Sequence, residues 1–322
     1  MQKKIAVITG GYSAEKIVSV KSAETVMATL DRTKYIPYLI HIEEDKWYHL
    51  NNGTEILMNK DNFSFKLPNE EITFDAAFIA LHGTPAEDGL LPAYFELINL
   101  PYTSCSPLAA QTTFDKGTTI ALARSYQYTT SRSIELDSSQ KSEAKVLTEE
   151  LNFPVFVKPC HAGSSFGISR ITEINELEEA LELAFQHSRT CLIEEEIKGT
   201  EVTCGTYIEK GQINTLPITE VVAHNDFFDF ESKYHGKADE ITPARISKED
   251  AELIHRSSKN IYQDFKLKGI CRIDYILSDG KAYLIEINTV PGLTNESFIP
   301  QQVRAAGMEL KDFFNLLIEE II

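Results

Sequence analysis

Glu286 and Asn288 stand two residues apart in the run Tyr283-Leu284-Ile285-Glu286-Ile287-Asn288, a short way after Arg272-Ile273-Asp274. Side chains alternate across a β-strand, so Glu286 and Asn288 share one face, as do Arg272 and Asp274, while Tyr283, Ile285 and Ile287 turn to the other. If the two runs are neighbouring strands, three oxygen-bearing side chains and one guanidinium meet on a common surface. Carboxylate and carboxamide oxygens suit magnesium, above all where it also holds phosphate oxygens. The chemistry implied is nucleotide-dependent. Each run taken alone is also explained by a solvated strand face with alternating polar residues. The strand exit Thr289-Val290-Pro291-Gly292-Leu293-Thr294, which can bring backbone amides close to a ligand, weighs against that simpler account.

Register follows from the turn between the runs. A two-residue turn at Asp279-Gly280 would set Asp274 opposite Ile285, on the wrong face. A three-residue loop, Asp279-Gly280-Lys281, with glycine in the left-handed region, sets Asp274 opposite Glu286 and Arg272 opposite Asn288. The longer loop is predicted.

Other stretches offer partners for a nucleotide. In Lys158-Pro159-Cys160-His161-Ala162-Gly163-Ser164-Ser165-Phe166-Gly167, small residues let successive amides approach phosphate oxygens, with Lys158 as compensating charge. No Gly-Lys-Ser/Thr opens a helix, so this is not a P-loop, and a plain hairpin would also explain it. Lys116 is a second basic candidate, although a helical lysine is usually solvated. The strand end from Leu192 to Glu201 could pair its backbone with an adenine edge, and Glu201 could accept from ribose hydroxyls; an acidic surface turn is the bland alternative. Glu15 and His82 each follow a predicted strand. The acid could hold a substrate ammonium, and the imidazole could orient that acid or contact a carboxylate.

Composition narrows the class. The chain has 322 residues, 43% hydrophobic and 25% charged, enough for a substantial core and two or three compact units. A net charge of −17 argues against nucleic-acid backbones and anionic membrane surfaces as partners. Five scattered cysteines without a C-x-x-C pair fit a reducing cytosol better than a disulfide framework or a zinc site. No apolar run approaches the roughly 20 residues needed to span a membrane, and the short apolar start reads as a first strand. A cytoplasmic protein is expected.

The elements that must position these groups alternate between strand and helix in the opening third: strand Ile5–Thr9, helix Ser19–Leu30, strand Tyr35–Ile40, and a strand within Phe74–Leu81. Such α/β alternation implies a parallel sheet with ligands at the carboxyl ends of its strands. A change of unit is predicted near Pro101 to Pro107. Next come helix Asp115–Gln127, an exposed linker-like stretch Asp137–Ser142, strand Val155–Lys158, strand Ile168–Ile171, helix Glu176–Gln186 and strand Cys191–Glu195. A third unit ends in helix Leu310–Glu320. The stretch from Asn225 to Glu240, polar yet aromatic, is expected to be a functional loop.

Taken together, these residues resemble the D-alanine–D-alanine ligases of the ATP-grasp superfamily, in the form found in Bacteroidetes-type bacteria, over essentially the whole chain. The resemblance is carried by Gly10-Gly11 with Ser13-Ala14-Glu15, Leu81-His82-Gly83 with Glu87-Asp88-Gly89, Asp115-Lys116, Lys158-Pro159 with Gly163-Ser164-Ser165-Phe166-Gly167, Glu231-Ser232-Lys233-Tyr234, Arg272-Ile273-Asp274, Glu286-Ile287-Asn288, and Pro291-Gly292-Leu293-Thr294 with Ser297. It implies an ATP-grasp fold, α/β with α+β parts: a Rossmann-like domain at 1–104 holding the first D-alanine, a central subdomain at 105–198, and a C-terminal subdomain at 199–322 with the metal site and lid loop.

The same resemblance implies residue roles. Lys116, Lys158 and Ser164 would serve the ATP site, with Glu194, Glu195, Glu196 and Ile197 along the adenine, Glu201 at the ribose and Lys233 closing over the nucleotide. Asp274, Glu286 and Asn288 would hold two Mg2+, or Mn2+. Glu15 would bind the first D-alanine ammonium, positioned by Ser164 and Tyr234, with His82 beside it. Ser297 would bind the second carboxylate, while Arg272 and the Gly292 amide form the oxyanion hole. A homodimer is expected by the same analogy. Ala86, Pro92, Ser106 and Val290 depart from the family's pattern without removing a charged group. Rival assignments are a D-alanine–D-lactate or D-alanine–D-serine ligase, another ATP-grasp carboxylate–amine ligase, and a nucleotide-binding regulator. Tyr234 favours the dipeptide, the intact acid set disfavours the regulator, and Glu15 with Ser297 disfavours other ligases.

Overall fold

Strand β1 (Lys3–Gly10) carries the run Ile5-Ala6-Val7-Ile8, buried on both faces, as the centre of a parallel arrangement demands. It pairs in parallel with β2 (Tyr35–Ile42) on one side and β7 (Ala76–Ile79) on the other. The computed structural model describes residues 2–163, 166–223 and 238–322 of the chain. Helix α1 (Lys16–Thr29) returns from β1 to β2, starting three residues before the predicted position.

The expected parallel sheet is extended by antiparallel strands. β3 (Trp47–Asn51) and β4 (Thr54–Leu57) add to the β2 edge, and β5 (Phe65–Leu67) with β6 (Glu70–Ile72) forms a separate hairpin. Connections this short cannot make a parallel crossover. The missed signal is Asn52-Gly53, whose positive φ values of 48° and 82° make the tight turn between β3 and β4.

A second, wholly antiparallel sheet has the order β10-β9-β11-β8, from β8 (Ser133–Asp137), β9 (Val155–Pro159), β10 (Ser169–Ile171) and β11 (Thr190–Glu195). The stretch predicted as an exposed linker is instead a 3-10 turn, Ser138–Glu143, because the Asp137 carboxylate accepts from the Ser139 amide and caps it. A third sheet has the order β15-β14-β12-β16-β17: β12 (Thr200–Glu209), β14 (Thr219–Ala223), β15 (Ala238–Ile241), β16 (Ile270–Ser278) and β17 (Lys281–Asn288), with β13 (Gln212–Thr215) also on β12. Of the predicted loop Asn225–Glu240, the last three residues belong to β15; the rest lies outside the described residues, as do Ser164, Lys233 and Tyr234.

Helices fill the spaces between these sheets. In chain order, α2 (Leu90–Leu97), α3 (Pro107–Phe114) and α4 (Lys116–Ser125) come between the strands of the first and second sheets; α5 (Ala144–Leu147) and α6 (Leu177–Phe185) cover the second sheet, and α7 (Lys248–Asp264), α8 (Phe298–Ala305) and α9 (Leu310–Glu319) follow. One face of the first sheet, Ile5, Val7 and Phe78, packs with Phe313, Phe314 and Leu317 of α9, while Ile8, Ile40 and Ile79 pack with Phe63, Phe65 and Phe95. That split follows the two-residue period of β1. Ala109 and Ala110 of α3 and Ala123 of α4 share a core with Ile273, Leu284 and Ile287 of the third sheet. The chain departures are absorbed locally: Ser106 caps α3 by accepting from the Ala109 amide, and Ala86 is fully buried.

Candidate active site

The β16–β17 ladder pairs Arg272 with Asn288 and Asp274 with Glu286, the register required to gather the acidic group. It reaches that register by another route than the predicted loop. Asp279-Gly280 is a two-residue turn, with φ of 50° and 70° and Ser278 opposite Lys281. A bulge between Asp274 and Tyr275 then leaves Ile285 unpaired and restores the parity. The bulge also changes the faces: Leu284 enters the core beside Tyr275, and Ile285 lines the cavity.

Around Asp274 the contacts are dense. Arg272 donates to it as a fork, Nε to Oδ1 at 2.9 Å and a terminal nitrogen to Oδ2 at 2.7 Å. Thr203 Oγ1 donates to Oδ1 at 2.5 Å, and Asn288 Nδ2 donates to Oδ2 at 3.1 Å and to Glu286 Oε1 at 3.5 Å. Burial works against the Arg272 charge, but Asp274 and Glu286 outweigh it, so the guanidinium stays charged well beyond its ordinary range. Its carbon sits 5.3 Å from the centre of the Phe298 ring, a cation–π contact. The donor set for a cation is oxygen only: two carboxylates, and the Asn288 carboxamide once its oxygen rather than its nitrogen faces them. Such hard donors fit Mg2+.

The opposite wall comes from the second sheet. Lys158 on β9, partly buried, donates a short hydrogen bond to the buried carboxylate of Glu194 on β11. Burial disfavours the ammonium, yet Glu194 more than offsets this, so Lys158 is held protonated above its ordinary range. Lys116 opens α4, and its Nζ donates to the Ala162 carbonyl at 2.5 Å, tying that lysine to the glycine-serine loop.

The carboxylates of Glu195 and Glu196 are held elsewhere than on a base. Glu195 accepts from the Asn152 amide and side chain at 2.8 and 3.0 Å, and Glu196 receives a fork from Arg170 at 2.7 and 2.9 Å. Beyond the last ladder residue, Glu195, the Glu196 amide donates to the Pro154 carbonyl at 3.0 Å, and Glu196 and Ile197 line the cavity with Phe156, Ile168, Ile276 and Ile285 as apolar walls.

At the carboxyl ends of β1 and β7, Glu15 lies between two glycines. A Cβ on Gly163 would come within 2.6 Å of Glu15 Oε2, and one on Gly83 within 2.9 Å. Glycine at both places lets two loops close on one carboxylate. The ring nitrogens of His82 are held by other partners than Glu15. Its Nδ1 donates to the Val290 carbonyl at 2.7 Å, and Nε2 accepts from Ser22 Oγ at 3.0 Å, so both ring nitrogens are occupied. Burial lowers its pKa, with Glu15 acting in the opposite sense, and the neutral ring clasps the 290 strand exit to α1. Sequence reasoning passed over Glu87, which accepts from the Gly83 amide at 2.7 Å and the Val290 amide at 3.4 Å. Its place in the same polar loop as His82 was the available signal. Ser297 precedes α8, and its Oγ lies 2.8 Å from Thr294 Oγ1 and against Gly292. All the predicted site residues that are described line one cavity of about 1320 Å3, large for a single small ligand.

The family model "D-ala D-ala ligase N-terminus" matches residues 4–105, and "D-ala D-ala ligase C-terminus" matches 119–319. A D-alanine–D-alanine ligase of Flavobacterium johnsoniae is 44% identical, with 98% of each chain covered. The chain belongs to the D-alanine–D-alanine ligase family. Its fold is that of these ATP-grasp ligases: a D-Ala:D-Ser ligase, VanG, from Enterococcus faecalis superposes with a TM-score of 0.88 at 31% identity, covering 99% of each chain. A Bacillus anthracis D-alanine–D-alanine ligase complexed with ATP gives 0.76 at 27% identity, covering 98% of this chain and 96% of that one.

Within this ligase, another set of metal-type side chains, Asp115, Glu135 and Cys160, lies outside the acidic face just described. Burial pushes the Cys160 thiol up to about 11, and Asp115 is already committed to the Thr118 amide and His161. Protonated thiols are poor ligands, which weighs against a metal at this cluster.

Glu87 gives the family member a testable pH signature. Burial, reinforced by the nearby Glu15 carboxylate, pushes it from an ordinary 4.5 up to about 8. Because the folded protein holds this proton more tightly, its contribution is present in full below the unfolded value and is lost as pH rises through the folded one. Glu87→Gln is therefore expected to gain melting temperature relative to the parent between about pH 5 and 8.5. Parallel melting curves across that range would assign the proton elsewhere.

Proposed function

We propose that this chain joins two D-alanine molecules at the expense of ATP, through an acyl phosphate, releasing ADP and phosphate for peptidoglycan precursor synthesis. The single observation that carries the assignment is the one cavity in which the Asp274/Glu286/Asn288 face, the lysines Lys116 and Lys158, and Glu15 with Ser297 all open. Glu15 takes the ammonium of the first D-alanine, with Ser164 and Tyr234 proposed to complete that subsite. The carboxylate of that D-alanine attacks the γ-phosphate and ADP leaves, with Lys116 and Lys158 offsetting the charge. Two Mg2+ held by Asp274, Glu286 and Asn288 would supply further neutralisation of the phosphates.

Ser297 and the amides opening α8 receive the second carboxylate. The amine of that molecule attacks the acyl carbon, and Arg272 with the Gly292 amide stabilises the oxyanion. His82 acts indirectly here, by fixing the strand exit that carries Gly292. At the nucleotide end, the adenine meets the backbone of Glu196 and Ile197, Glu194 holds Lys158 in place, the side chains of Glu195 and Glu196 brace the strand end, and Glu201 meets the ribose. Lys233 closes the nucleotide site.

The units implied are 1–104, 105–198 and 199–322, a division supported by the three sheets. A homodimer would cover apolar side chains such as Leu90, Leu97 and Leu108, exposed on α2 and α3. No helix among the described residues is long and apolar enough to cross a membrane, which is compatible with the cytoplasmic location proposed.

VanG's likeness in structure keeps D-serine as a second reading for the acceptor. A coupled phosphate-release assay with D-alanine, D-serine, D-lactate and L-amino acids, with products weighed by mass spectrometry, separates these. D-Alanyl-D-alanine as the dominant product is expected; turnover indifferent to D-alanine would overturn the assignment.

A further inference from the structure

Gln302, in the second turn of α8, has no exposed surface, and its carboxamide is bonded at both ends. Oε1 accepts from the Gly205 amide at 2.9 Å, while Nε2 donates to the Thr203 carbonyl and to Thr219 Oγ1, each at 3.0 Å. Gly205 leaves the space for this: a Cβ there would lie 2.7 Å from Gln302 Oε1. An apolar residue would fill the same volume with no preferred direction. A buried amide must instead find its partners, so it fixes both the roll and the slide of α8 against β12 and β14.

The partners lead to the reacting groups. Thr203, which holds Gln302 by its carbonyl, donates its hydroxyl to Asp274. At the other end of the same helix stand Ser297 and Phe298, the latter under the Arg272 guanidinium. The neighbouring Gln301 adds a second tie, its Nε2 donating to Glu240 Oε2 of β15 at 2.5 Å. Thr219 is itself bonded to Thr242, just past β15, at 2.6 Å. A single amide thus spaces the start of α8 from the strand that orients Asp274.

We infer that Gln302 is a positioning residue for the second amino acid: it holds the opening of α8 at the distance from Arg272 and Asp274 that acyl transfer needs. This rests on the assignment of Ser297 to the acceptor carboxylate. The rival is a purely structural glutamine whose loss lowers the amount of active enzyme without favouring one substrate.

Initial rates of dipeptide formation over a wide D-alanine range resolve donor-site and acceptor-site constants, and ATP is varied separately. Gln302→Met is expected to raise the acceptor-site KM about tenfold, well within the ~10²-fold that a 1 Å misplacement can bring. Donor-site and ATP constants should stay within about twofold by the same reasoning. Thr219→Val, which removes one partner and leaves Gln302 in place, should move the acceptor constant the same way by roughly threefold. A uniform fall in kcat with all three KM values unchanged, or an acceptor constant that does not move, overturns the inference. If Gln302→Met yields no folded protein, an unchanged acceptor constant in Thr219→Val overturns it instead. Ser297→Ala is measured alongside: an unchanged acceptor constant there removes the carboxylate assignment, whereas the Gln302 result is judged on its own shift.

Discussion

Arg272→Ala is expected to bind ATP as the parent does and to lose dipeptide formation by about 10²–10³-fold, the usual effect of deleting one oxyanion donor. The guanidinium is partly buried, fixed in plane by its fork to Asp274 and flanked by the Phe298 ring, so it is preorganised rather than recruited. A group that stabilises charge appearing only in the transition state lowers kcat when removed, while ground-state nucleotide affinity is spared. Arg272→Lys is a useful companion, since it keeps the charge and loses the fork; it should recover only part of the rate. Nucleotide affinity by titration calorimetry and dipeptide by mass spectrometry report the two halves separately. Dipeptide formation within threefold of the parent would remove Arg272 from the mechanism.

The largest stability effect is expected from Lys158→Met. It leaves Glu194 buried without its cation, and breaking a buried pair from one side typically costs about 3–5 kcal/mol. Replacing both partners, Lys158→Met with Glu194→Gln, removes the stranded charge and is expected to recover most of that loss in urea or thermal unfolding. Activity is not expected to return, because the lysine proposed to face the phosphates is still missing. Full stability in the single variant would mean that Glu194 finds another partner or takes up a proton. Full activity in the double variant would exclude Lys158 from phosphate binding. Both outcomes are readable on the same preparations.

Much of this site was legible in the chain, and the exceptions have physical causes. The alternation Arg272/Asp274 and Glu286/Asn288 set which side chains share a face, and the burial of Ile273 and Ile287 opposite them admits only one parity. Parity is a sum, though, and either the turn or a bulge can supply the odd residue. Asp279-Gly280 favours the tight turn locally, so the odd residue moved to Ile285, where the sequence carries no mark of it. His82 was read as a group facing the acid or the substrate because it follows a strand; its ring was instead taken up by Ser22 and Val290, residues 60 and 208 positions away.

By itself, then, the order of residues determined the chemical types at the site, the strand faces that present them, and the nucleotide-dependent reaction they suit. Those are properties of short-range periodicity and of functional groups. Tertiary structure alone decided that Lys158 answers Glu194, that burial raises the pKa of Glu87, that His82 clasps a backbone carbonyl, and that Gln302 spans three elements. Each of these depends on which distant segments share a low-dielectric interior, and no local pattern encodes that neighbourhood.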